Sequence, residues 1–278
     1  MNIGVFDSGL GGLTIFRAFL ERLPAYNYVY LGDNARVPYG NRSPEIIYLF
    51  TKEALNFLFK KNCQLVVIAC NSSTAAALKK IQHNYLPKYY PGRKVLGIIK
   101  PVVESLEEYQ SLKKISRVGV VGTTATVNSK AFVRQIKKAM PRVHVYQQAC
   151  PLLVPFIEEG IHKDNRALRL VLKNYLNSLT KKKIEALILG CTHYELLKKE
   201  IQKIVGRKVQ ILTEGKIAAE KLKEYLSLQK ELEKKLEKKK KVSYFLTDEE
   251  PNYKRLMKLF LKPHSSNIKV QLAEIDNV

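Results

Sequence analysis

Seven short apolar runs, each unbroken rather than alternating, recur along the chain with helical patterns between them. They are residues 2–6 (NIGVF), 28–31 (YVYL), 65–69 (LVVIA), 95–99 (VLGII), 118–121 (VGVV), 143–146 (VHVY) and 186–189 (ALIL). A strand wetted on one face alternates apolar and polar residues. An unbroken run belongs to a parallel strand covered by helices on both faces. Repeated strand–helix alternation predicts an α/β fold with mainly parallel sheets. Ser43-Pro44-Glu45 supplies a helix start, and Pro24 and Pro141 close the helices before them. Residues 242–261 read as a strand, a capped turn and a final helix.

The chain echoes itself. A strand leads into Asp7-Ser8-Gly9 and another into Thr123-Thr124, 116 residues after Asp7. A strand leads into Cys70-Asn71-Ser72 and another into Cys191-Thr192-His193, the second cysteine 121 positions after the first. Near-equal offsets predict two similar α/β domains facing each other across a cleft, related by a pseudo-twofold. The expected division is 1–97 plus 211–278 for the first and 98–210 for the second.

Ligands of open parallel sheets bind at the carboxyl ends of strands, and four polar clusters fall there. Asp7-Ser8-Gly9 with Gly11-Gly12 allows close backbone approach and offers amides to a carboxylate. It is not a dinucleotide fingerprint, because GxGxxG is absent. The loop Gly32–Gly40 holds the Pro38-Tyr39-Gly40 turn. The other two clusters each place a cysteine just before a helix start. The field there is expected to lower a thiol pKa below its ordinary ~8.5. His193 beside Cys191 is a candidate proton relay.

Two thiols in equivalent settings suit one chemistry. Inverting a stereocentre through a carbanion needs a base on one face and an acid on the other. Cys70 and Cys191 are the candidate pair, with Asp7 placed to act on the first and His193 on the second. A cysteine hydrolase would need one nucleophile and leaves the second strand-end thiol unexplained.

With 46% apolar residues the chain can bury a core, and none of its stretches has the length of a membrane span. The N-terminus lacks signal-peptide regions, so the expected location is cytoplasmic. Cys63, Cys70, Cys150 and Cys191 form no CxxC pair, and no metal site is expected. The formal charge of +23 raises a nucleic-acid partner. The densest run, Lys230 to Lys241, holds seven Lys and three Glu. With Leu228, Leu232 and Leu236 spaced by four it reads as the exposed end of an amphipathic helix. Few aromatics interrupt it, which argues against base stacking. A basic nucleic-acid-binding or regulatory protein stays open as a rival.

FDSGLGG, LGDNARVPYG, VIACNSSTA, VGTTATVNS, ACPLLVPFIEEG and LILGCTHYELL, in that order, resemble the glutamate racemases of the aspartate/glutamate racemase superfamily. The resemblance runs from Asn2 to about Val270. It implies cofactor-independent conversion between L- and D-glutamate, supplying D-glutamate for peptidoglycan and hence cell-wall biogenesis and cell shape. It implies that Cys70 and Cys191 exchange the proton, assisted by Asp7 and His193. Substrate contacts would be Asp7, Ser8, Tyr39, Gly40, Asn71, Ser72, Thr192 and His193, with Thr74, Thr123 and Thr126 behind them and Glu158 as a helper of His193. A homodimer is implied, and neither metal nor cofactor. Ser72 and Glu195 stand where the family usually has Thr and Pro, and residues 212–215 (LTEG) lack its usual Asp-Ser. Aspartate and hydantoin racemases share the two cysteines and are the nearest alternatives.

Overall fold

The computed structural model describes residues 1–249, 251–264 and 268–275. Glu250, within the expected capped turn, lies outside them. Ten strands among the described residues form two sheets. They are β1 (Asn2–Asp7), β2 (Tyr28–Gly32), β3 (Cys63–Ile68), β4 (Lys94–Gly97), β5 (Arg117–Gly122), β6 (His144–Ala149), β7 (Ala186–Gly190), β8 (Gln210–Leu212), β9 (Val242–Leu246) and β10 (Val270–Leu272). The first sheet has the order β10-β9-β2-β1-β3-β4 and the second β6-β5-β7-β8. Every pairing is parallel.

All seven apolar runs are strands, and they are covered as their composition requires. Ile3, Val5 and Phe6 of β1 and Leu187 and Ile188 of β7 have no exposed surface. Each such side chain contributes about 1.5–3 kcal/mol when buried. The fourth run ends sooner than its apolarity suggests, because Ile99 already opens the helix Ile99–Lys113.

Both sheets repeat one topology. In the first, β1 lies between β2 and β3, and β4 lies beyond β3. In the second, β5 lies between β6 and β7, and β8 lies beyond β7. The chain therefore reverses its winding at β1/β3 and again at β5/β7, where a crevice opens at the strand ends. Asp7 ends β1, Cys70 follows β3, Thr123 follows β5 and Cys191 follows β7. The echoed motifs thus occupy equivalent crevices.

Two expectations are revised. By strand pairing Ile211 and Leu212 belong with β7 in the second sheet, not with the first unit. The Lys-rich run does not extend a helix. The helix Glu214–Leu228 stops at Gln229, and only a short helix, Lys230–Glu233, follows. Leu232 and Leu236 are buried, whereas Leu228 is 79% exposed. The segment instead runs beside β2: Glu237 O accepts from Asn27 N and Lys241 O from Tyr28 N, both at 2.8 Å. All seven lysines point outward. Among the described residues no helix is long and apolar enough to cross a membrane.

Candidate active site

The two crevices open into one cavity. It is lined by Ser8, Val37, Pro38, Tyr39, Gly40, Cys70, Asn71, Ser72, Thr123, Val154, Cys191, Thr192 and His193. Its volume is about 20 Å³, room for a water molecule and less than an amino acid needs. Ser72 and Thr123, from opposite sheets, are hydrogen-bonded at 2.9 Å across it. The lining contains neither Lys nor Arg; the polar side chains it presents are hydroxyls, one amide, two thiols and an imidazole. A larger open groove lies along Lys173, Asn174, Asn177, Thr180 and Ile204, but it offers no acid–base pair.

Cys70 is the residue before the helix Asn71–Lys80, with extended φ/ψ. Its Sγ accepts from Ser73 N at 3.4 Å and donates to Ser8 Oγ at 3.3 Å. Burial nevertheless pushes the thiol pKa up. Asp7 adds to the rise, and the bonds to Ser73 and Ser8 oppose it. Burial raises Cys191 well above the ordinary thiol range, against the His193 backbone N–H and with Cys70, Glu214 and Asp7 adding repulsion. The lowering expected from the helix starts is overturned for both thiols. Desolvation disfavours a thiolate more than one or two amides stabilise it.

On the Cys191 side, Sγ lies 3.9 Å from His193 Nδ1, and His193 Nε2 lies 3.1 Å from Glu158 Oε1. Glu158 ends the helix Leu153–Glu158, which brings the carboxylate behind the imidazole and outside the cavity lining. Gly11 makes this possible. A Cβ there would lie 2.6 Å from Thr192 Oγ1 and would strike the His193 ring. On the Cys70 side, Asp7 is buried beneath the cavity. Its Oδ2 accepts from Gly9 N at 3.1 Å, and Oδ1 is without a partner. Burial raises its pKa, while His193 lowers it.

Tyr39 and Gly40 reach the cavity from a loop anchored by Asp33. The Asp33 carboxylate accepts from the Tyr39 hydroxyl, from Arg36 Nε at 2.7 Å and from Thr247 Oγ1 at 2.9 Å. Gly40 packs against Thr123, which a Cβ would approach to 2.6 Å. Thr74 and Thr126 are not brought to the cavity. Thr74 Oγ1 donates to Ile68 O at 3.1 Å and accepts from Ile98 N at 3.3 Å. Thr126 backs Thr123 through a hydroxyl contact of 3.1 Å. Val154 and Glu214 were not foreseen. Val154 sits within a motif quoted above, but no spacing singled it out. Glu214 is buried and receives Asn71 Nδ2 at 2.9 Å across 143 residues of sequence.

Two strand-end thiols lining one cavity, with a histidine beside them, carboxyls buried behind it and neither Lys nor Arg in its lining, suit acid–base chemistry on a small molecule. The family model described as Asp/Glu/Hydantoin racemase matches residues 3–222. Glutamate racemase of Aquifex aeolicus (strain VF5) is 40% identical over 262 residues, 94% of each chain. That of Persephonella marina is 38% identical over 277 residues, 99% of each. The crystal structure of Francisella tularensis glutamate racemase in complex with D-glutamate superposes with a TM-score of 0.87 at 33% identity, covering 100% of this chain and 98% of that one. The chain belongs to the Asp/Glu/hydantoin racemase family and is an amino-acid racemase, an isomerase.

Proposed function

We propose that this racemase interconverts L- and D-glutamate by a two-base mechanism without a cofactor, supplying D-glutamate for peptidoglycan. The observation that carries the mechanism is that Cys70 and Cys191, at equivalent strand ends of two sheets, line one cavity. The relatives named above, glutamate racemases over nearly their whole length, carry the choice of substrate.

One thiolate removes the Cα proton, leaving the electron pair on Cα. The opposite thiol gives its proton to the other face. The first sulfur ends as thiol and the second as thiolate, so the enzyme is then poised for the opposite enantiomer. Asp7 and His193 restore the charge distribution by passing a proton to or from the sulfur nearest each. Burial holds both thiols neutral before substrate enters. The substrate's α-ammonium, brought beside them, supplies the positive charge that favours a thiolate. Ser72 and Thr123 exchange their mutual hydrogen bond for a substrate carboxylate, and Ser8, Tyr39, Gly40 and Thr192 complete the pocket. Substrate entry requires the two units to part. We place these at 1–97 plus the segment after β8, and at 98 through β8. A homodimer in the cytoplasm completes the reading, its mass open to sedimentation equilibrium.

Circular dichroism of L-glutamate and of L-aspartate incubated with the protein tests the substrate. Decay of the glutamate signal is expected, and decay with aspartate alone would overturn it.

A further inference from the structure

Glu214 opens the helix after β8, and Asn71 opens the helix after Cys70. Their contact at 2.9 Å therefore ties the end of the second sheet to the cavity wall of the first. Both side chains are buried, at 3% and 2% exposure. Only one polar atom of each is used. Glu214 Oε1 and Asn71 Oδ1 are buried and without partners. A buried oxygen left unpaired loses its hydration with nothing in return, so a persistent orphan in a cavity wall points to a ligand that completes it.

The chemistry of that ligand follows from which atom is left. Glu214 takes the Nδ2 end of the carboxamide, so Oδ1, an acceptor only, remains for the cavity that Asn71 lines. Of the ionic groups on glutamate only the α-ammonium donates hydrogen bonds. The surroundings agree: Asp7 and Glu195 act on Glu214 electrostatically, and the lining has neither Lys nor Arg to repel an ammonium. Among the described residues Glu214 takes the Asn71 Nδ2 group, and Asn71 Oδ1 has no hydrogen-bond partner.

We propose that Glu214 is a positioning residue, which by holding Asn71 Nδ2 presents Asn71 Oδ1 to the α-ammonium of the substrate. This rests on the glutamate reading and deepens it.

The test compares a ligand with the ammonium to one without it. KM for L-glutamate and the inhibition constant of glutarate, the same dicarboxylate lacking the amine, are measured for wild type, Glu214→Met and Glu214→Gln. Met fills the space without a strong acceptor and should raise KM roughly tenfold while glutarate stays within about twofold. Gln keeps an acceptor oxygen and should restore KM. Equal weakening of glutarate would mean a general loss of packing, or a reversed amide facing a carboxylate, and would overturn the proposal. An unchanged KM in Glu214→Met, or no rescue by Gln, would overturn it as well. Should Glu214→Met fail to fold, Glu214→Ala carries the same comparison. Wild type that binds glutarate but neither binds nor racemises L-glutamate would overturn the glutamate reading and this inference together. Active wild type with no selective effect in the variants would overturn the inference alone.

Discussion

The Nε2 atom of His193 lies 3.1 Å from Oε1 of Glu158, while the ring's other nitrogen faces Cys191. A carboxylate on Nε2 holds the proton there and leaves Nδ1 free to accept from the thiol. Glu158→Gln is expected to weaken that preference and lower kcat/KM roughly 10- to 100-fold. The fall should be equal for both enantiomers, since racemisation has an equilibrium constant of one. Initial rates from each enantiomer by circular dichroism check it, and an unchanged rate would remove Glu158 from the mechanism.

Cys70→Ser and Cys191→Ser should each abolish racemisation of glutamate. Each should retain elimination from only one enantiomer of a substrate that bears a β leaving group, and the two variants should prefer opposite enantiomers. Product release from each enantiomer is the readout. Equal elimination from both by a single variant would contradict opposed bases.

Both thiols are pushed up by burial. The proposed two-thiol reaction needs one of them ionised, so on that reading kcat/KM should climb with pH along a limb lying above the ordinary thiol value of ~8.5. A pH profile of wild type measures this. A plateau already reached in the acid range would place the thiolate elsewhere.

Gly11→Ala should cost stability and activity together. Its Cβ would lie 2.6 Å from Thr192 Oγ1 and collide with the imidazole. Overpacking of this kind costs about 1–3 kcal/mol. Denaturant melts and turnover at saturating glutamate would both fall; a silent substitution would show that the loop yields.

Burial raises Glu214 well above the ordinary carboxylate value. Between its unfolded and folded pKa the native state binds more protons than the unfolded one, so this group lowers stability as pH rises through that window. Glu214→Gln removes the effect. The variant should melt above wild type at pH 8, with the gap closing towards pH 4. A gap that widens on acidification would reverse the sign.

The eight longer strands, the two echoed pairs of motifs and the site clusters were legible because each is a local pattern. An unbroken apolar run can be satisfied only by burial on both faces, and a polar turn after it marks a strand end. β8 and β10 escaped because each is three residues long and gains its identity from a neighbour's backbone. The Lys-rich segment has the spacing of an amphipathic helix, yet hydrogen bonds to Asn27 and Tyr28 hold it along β2 instead.

The sequence by itself determined the fold class, the strand-end placement of Cys70 and Cys191, and the kinship that the comparisons bear out. Tertiary structure decided what those thiols experience. Their shared cavity, the Glu158 carboxylate behind His193 and the bond from Asn71 to Glu214 join residues far apart in the chain. The direction of the thiol pKa shifts was decided there too. A helix start is written in a few neighbouring residues, but desolvation is the sum of everything packed around the sulfur, and here it is the larger effect.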